Sequence, residues 1–137
     1  MKIVITIIFI LLAEKGISQQ ITYKDLIGTW IMQEDKKIAF PSGLTLMFHD
    51  SVNVFITTST LNSNIEVCTY SLDTIGRFTR FHLKCKIDRN SMTDRYYLLK
   101  FINDTTLKIQ INVIYEEGKP EYEKGFRNAP IFVRNKL

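Results

Sequence analysis

Proline and glycine are scarce, at 3 and 6 of 137 residues, so a collagen-like or Pro/Gly-rich low-complexity chain is excluded. Cysteine and histidine occur only twice each, which leaves no cluster with metal-ligand spacing and no Cys-x-x-Cys redox pair. There is no Gly-x-Ser-x-Gly elbow, no Ser-x-x-Lys and no glycine-rich phosphate loop. No internal repeat is found, and no window of a dozen residues carries a 3.6-residue apolar period. Charge of one sign never accumulates: the longest basic run is the pair Lys36-Lys37, although the formal net charge is +4. Beyond residue 18 the basic residues spread from Lys24 to Lys136, so nucleic acid is not expected as a partner.

What remains is ordinary globular material, 45% apolar and 23% charged, in a length that holds one domain. Residues 1–18 are set apart from it. Met1-Lys2 is a basic start, Ile3 to Ala13 is an apolar stretch of eleven residues, and Gly16 and Ser18 are small residues placed before a cut. That layout predicts a signal peptide cleaved after Ser18 and an exported product, periplasmic or secreted, spanning residues 19–137. Eleven apolar residues are too few for a membrane-crossing helix, which needs about 20. No second such run follows, so no membrane span is expected after cleavage.

The remaining chain reads as strands. Eight are predicted, at about 28–34, 44–49, 52–58, 64–72, 77–87, 94–102, 106–116 and 130–135, after one short helical turn at 22–26. Asp50-Ser51, Asp73-Thr74 and Asn103-Asp104 are the expected tight turns, and residues 88–93 a longer polar one. Alternation assigns the faces. Phe81, Leu83, Cys85 and Ile87 oppose Arg80, His82, Lys84 and Lys86; Leu107, Ile109, Ile111, Val113 and Tyr115 oppose Lys108, Gln110 and Asn112. Leu44, Leu46 and Phe48 form a third inner set, and Tyr97, Leu99 and Phe101 a fourth. Strands wet on one face and dry on the other belong to antiparallel sheets, and closing such a sheet removes its edges. The expected fold class is therefore all-β, an antiparallel up-and-down barrel of eight or nine strands, the ninth being residues 121–126 if the charged segment 116–130 folds back. The alternative for that segment is a lid in which Tyr122 and Phe126 cover an open barrel end.

Gly28-x-Trp30, placed soon after the apolar leader and a short helical turn, resembles the motif that opens the first strand of lipocalins and related calycin barrels. Tyr70-Ser71-Leu72-Asp73, the stretch Asn103 to Ile109 and the closing Ile131-Phe132-Val133-Arg134 are similar to pieces of small lipocalin-like proteins exported by Bacteroidetes. The resemblance implies that Arg134 packs across Trp30 and closes the base of the barrel, as a cation–π pair. It departs from the family in a shorter chain and in lacking a long helix after the last strand, which implies a smaller cavity or an incomplete barrel.

An eight-stranded barrel either fills with its own side chains or holds one small ligand. The candidate lining of a ligand cavity is Phe48, Phe81, Tyr97, Phe101 and Tyr115, which would select a small hydrophobic molecule. The alternative is a solid barrel acting through its surface, on the basic row Arg80, His82, Lys84 and Lys86 or on segment 116–130. An enzyme is a third reading, with Glu66 or His49 as the polar group inside the barrel. No catalytic residue, metal ligand or cofactor site is assigned. In an exported chain, Cys68 and Cys85 point to one disulfide. Direct pairing puts both inside and moves the intervening turn from Asp73-Thr74 to Gly76-Arg77; the opposite face choice turns Cys68 outward.

Overall fold

The computed structural model describes residues 20–34, 43–58, 65–76, 78–110, 126 and 129–136. One helical turn, α1 (Tyr23–Leu26), precedes eight strands: β1 (Gly28–Met32), β2 (Thr45–Phe48), β3 (Asn53–Thr57), β4 (Ile65–Ile75), β5 (Phe78–Lys86), β6 (Met92–Asn103), β7 (Thr106–Gln110) and β8 (Ile131–Arg134). Each strand pairs antiparallel with the next, and β8 returns to β1 through Trp30↔Arg134 and Met32↔Phe132, closing an up-and-down barrel. The predicted ninth strand at 121–126 lies outside the described residues, Phe126 excepted.

Period-two alternation produces this architecture. Along β5 the inward residues Thr79, Phe81, Leu83 and Cys85 are buried, while Arg80, His82, Lys84 and Lys86 face out. Trp30, Phe48, Val54, Leu107 and Phe132 fill the interior from β1, β2, β3, β7 and β8, each at most 1% exposed. Burial at this level is the main stabilising contribution, on the order of 1.5–3 kcal/mol per large apolar side chain.

The turns are built from local polar chemistry. The Asp50 carboxylate accepts the Val52 and Asn53 amides at 2.7 and 2.6 Å and the Asn53 side chain at 2.8 Å. Those bonds, the Asn53 side chain first, hold its carboxyl below the usual range. Asp88 does the same for Asn90 and Ser91, and Asn103 for Thr105.

The expected turn at Asp73-Thr74 is corrected. β4 runs through both residues to Ile75, and Cys68↔Cys85 pairing continues in register to Ile75↔Phe78. The chain reverses at Gly76, whose φ of 56° is the left-handed value that a two-residue hairpin turn demands. The polar pair was a weaker turn signal than a glycine able to take positive φ. β6 likewise starts earlier than expected, at Met92, shortening the polar turn that precedes it.

The two ends of the barrel differ. The β2–β3, β4–β5 and β6–β7 hairpin turns, the end of β8 and the segment leading into β1 share one end. There Ile21 and Leu26 are buried, and the Ile21 amide donates to Thr79 Oγ1 at 3.0 Å. The C-terminal ends of β1, β3, β5 and β7 and the starts of β2, β4, β6 and β8 lie at the other end.

Candidate functional site

The closed end is organised around Trp30, which is wholly buried and donates from Nε1 to the Leu26 carbonyl at 2.8 Å. The Arg134 guanidinium lies 4.4 Å from the Trp30 ring centre. The same guanidinium donates to the Ile27 carbonyl at 2.8 Å and to the Asp25 carbonyl. Phe101 packs on Trp30 at 5.6 Å between ring centres. Gly28 has φ 121°, a backbone conformation that side-chain-bearing residues rarely adopt, while a β-carbon there would make only ordinary contact with the Arg134 guanidinium at 3.5 Å. The Thr22 amide and hydroxyl both donate to the Asp25 carboxylate, at 2.8 and 2.9 Å, fixing the short helix that brings Leu26 and Ile27 to the latch.

Above this base, the aromatic residues expected to line a cavity touch one another. Phe48 meets Phe81 at 5.7 Å, and Phe81 meets Tyr97 at 5.9 Å. Tyr70, whose face the sequence left open, joins them at 5.1 Å from Phe48 and 5.6 Å from Phe81. Its hydroxyl donates to the Asp50 carbonyl at 2.6 Å, and burial pushes its ionisation up to about 12. The four rings form a continuous layer, and none of their residues is more than 9% exposed. Phe101 is half-buried and packed against Trp30. Tyr115 lies outside the described residues.

Towards the other end the inner surface turns aliphatic. Met32, Leu46, Leu83 and Ile109 are buried there, with Leu44 and Ile56 half-buried. Cys68 and Cys85 are joined across β4 and β5, 1% and 7% exposed. Glu66 has the inward parity but is exposed at the rim, avoiding the cost of a buried carboxylate. A Glu66 oxygen and both sulfurs lie within 4.8 Å of one another. With the sulfurs bonded together, they offer no thiolates to a metal ion. His49, the other polar candidate for the interior, is exposed and packs edge-on against Phe55 at 5.9 Å.

A cleft of about 300 Å³ lies at the closed end, between the α1 segment and the β6–β7 hairpin. Ile21, Phe101 and Ile102 give it an apolar side, and Lys24, Asp25, Asp104 and Arg134 a charged one.

The outer wall has two characters. On β4–β7 the basic row meets acidic partners. Asp73 takes Arg80 through both of its oxygens, which holds the Asp73 carboxyl below its usual range, and His82 contacts Asp94. Tyr96 stacks on His82 at 4.1 Å, and the Arg80 guanidinium lies 4.9 Å from the same ring. Next to this network, Leu98 points outward yet is wholly buried, covered by Phe126 and Ala129 together with Ile75 and Phe78. Phe126 thus packs on the outer side of the barrel against Leu98, Ile75 and Phe78, which does not fit the lid considered as the alternative for its segment. The Lys108 ammonium donates to the Phe126 carbonyl at 3.0 Å, and Lys100 lies 5.9 Å from its ring. The wall formed by β8 and β1–β3, with the paired part of β4, has no charged outward residue among those described.

Compared with known protein families, curated proteins and solved structures, the chain finds no match. The class is therefore given by the fold alone: a closed eight-stranded antiparallel barrel, with a Trp-Arg latch at one end and a layer of four touching aromatic rings inside it.

Asp94, Tyr96 and the Leu98–Phe126 contact were not singled out from sequence. Asp94 carried a usable signal, because the β5–β6 register places it opposite Lys84 and beside His82.

Proposed function

We propose that this chain is a divergent, exported lipocalin-like barrel that works through its outer surface as an interaction module, with its own side chains filling the interior. The observation carrying this reading is the ring layer Phe48–Tyr70–Phe81–Tyr97. A ligand at that level would have to displace aromatic contacts already made, and the Tyr70 hydroxyl already donates to the Asp50 carbonyl. Carrier sites are clefts of roughly 300 Å³ or more that bury most of the ligand. The described cleft of that size lies at the closed end, between α1 and a hairpin, with charged residues in its lining. Export rests on the leader pattern of residues 1–18, and kinship with lipocalins on Gly28-x-Trp30 and the Arg134 latch.

A thermal-shift series against fatty acids, sterols and porphyrins tests the filled interior. No compound should move Tm by more than a degree or so; a dose-dependent rise would reject it, because binding to the native state alone stabilises by mass action.

The second reading is a carrier of a small hydrophobic molecule. It is favoured by the aliphatic inner surface at Met32, Leu44 and Ile56 near the end opposite the latch. On that reading Phe48, Phe81 and Tyr97 form the floor of the site, and Phe101 belongs to the base beneath it.

A further inference from the structure

The cleft at the closed end combines an apolar corner with charges of both signs. Two sides of the corner are held by the core. Ile21 is buried where its amide bonds Thr79, and Phe101 packs on Trp30. Ile102 completes it through a bulge. Phe101 pairs with Leu107 and Asn103 with the adjacent Thr106, so Ile102 is the extra residue on β6. A bulge re-aims a side chain, and bulges are common beside active sites. Here the re-aimed Ile102 lines the cleft and stays 51% exposed.

The charged groups divide into those already engaged and those left over. Arg134 is engaged by Trp30 and two carbonyls, and the Asp25 carboxylate by the Thr22 amide and hydroxyl. Lys24 and Asp104 are different. Among the described residues, neither side chain makes a hydrogen bond or an ion pair. Lys24 reaches the cleft from α1, and Asp104 from the turn between β6 and β7.

We infer that this cleft binds a small apolar zwitterion, a free apolar amino acid or a dipeptide. Its ammonium meets Asp104, its carboxylate meets Lys24, and its side chain lies against Ile21, Phe101 and Ile102. Resting on the surface-module reading, this gives that surface a site and a ligand class. Charge complementarity selects the class. An anion that satisfies Lys24 is opposed by Asp104, and a cation that satisfies Asp104 is opposed by Lys24. A wholly apolar molecule would strip water from both charges and offer neither a partner. A zwitterion answers both, and its side chain fills the corner. Ligand clefts start at about 300 Å³, so the volume here suits a molecule of amino-acid size. So small a ligand in an open cleft binds weakly, with Kd on the order of 1 mM.

Amide proton–nitrogen correlation spectra of the purified chain test the inference. The titrants are L-leucine, L-phenylalanine, leucyl-leucine, N-acetyl-leucine and leucinamide. At least one of the three zwitterions should shift the amides of Ile21, Ile102 and Asn103 to saturation. Tighter binding of the dipeptide makes short peptides the source, and tighter binding of a single residue makes it free amino acids. N-acetyl-leucine and leucinamide each lack one charge and should bind about tenfold more weakly than leucine. Asp104→Asn should weaken leucine about tenfold and leave N-acetyl-leucine unchanged. Lys24→Gln should weaken leucine similarly and leave leucinamide unchanged. Both side chains face water, so the spectra of the free variants should match the wild type away from the substitutions. Three results each overturn the inference: no saturating shift from any zwitterion well above that Kd, equal binding of leucine and its two singly charged forms, or zwitterion binding that neither substitution weakens. The filled interior is read by the separate apolar panel, so failure of this site and failure of the surface-module reading appear in different titrations.

Discussion

Arg134 and Trp30 come from the last and first strands, and the guanidinium carbon lies 4.4 Å from the indole ring centre while the group also holds two backbone carbonyls. One side chain thereby ties together the closing strand pair, the first-strand tryptophan and the α1 segment. Arg134→Ala removes a cation–π contact and a charged donor to two carbonyls, and should cost about 2–4 kcal/mol. Arg134→Lys should recover only part, since an ammonium cannot stack and fork at once. The protein has one tryptophan, so its fluorescence should shift to the red in the alanine variant as water reaches Trp30, while urea titration gives the energy.

The Cys68–Cys85 bridge closes a segment of 17 residues, for which loop-closure entropy gives about 3 kcal/mol. Cys68→Ala/Cys85→Ala should lower Tm by on the order of 10 °C. The sulfurs are buried in the wall, so dithiothreitol should reduce the folded protein far more slowly than the urea-unfolded one; equal rates of thiol release would contradict the placement.

Tyr70 gives an alkaline signature. Its ionisation is raised from the ordinary 10 to about 12 by burial first, with the negative charge of Asp50 adding to it. The neutral phenol is favoured in the folded state, so its contribution is fully present below about pH 10 and lost as pH rises towards 12. Absorbance titration of the wild type should show a late tyrosine step in that window, accompanied by loss of near-UV dichroism. Tyr70→Phe should abolish that step, and its own stability should fall less steeply over the same window.

Phe126 covers Leu98 on the outside of the barrel. Phe126→Ala should cost about 2–4 kcal/mol and leave the interior intact. The check is a urea midpoint that falls while the Trp30 emission of the folded state stays unchanged.

Much of the fold was readable because alternation is strong where one face is wet. Lys84 and Lys86 force Leu83 and Cys85 inward, and the same logic orders Leu107 and Ile109. The connection after Leu72 was misplaced because Asp73 looks like a turn former; its carboxylate serves Arg80 across the hairpin instead. Parity also cannot tell a packed ring from a lining ring. Phe48, Phe81 and Tyr97 point inward in either case, and only the structure shows that their rings touch one another. Leu98 was illegible for a related reason: its face is outward, and its cover comes from a residue 28 positions away in sequence.

The filled interior is the central claim, and native mass spectrometry of the protein purified without detergent from a Gram-negative host addresses it most directly. The predicted spectrum is the bare polypeptide, lighter by the hydrogens lost to the Cys68–Cys85 bridge, with no retained small molecule. An apolar molecule that travels with the folded protein and is released on denaturation would contradict the account and make the barrel a carrier.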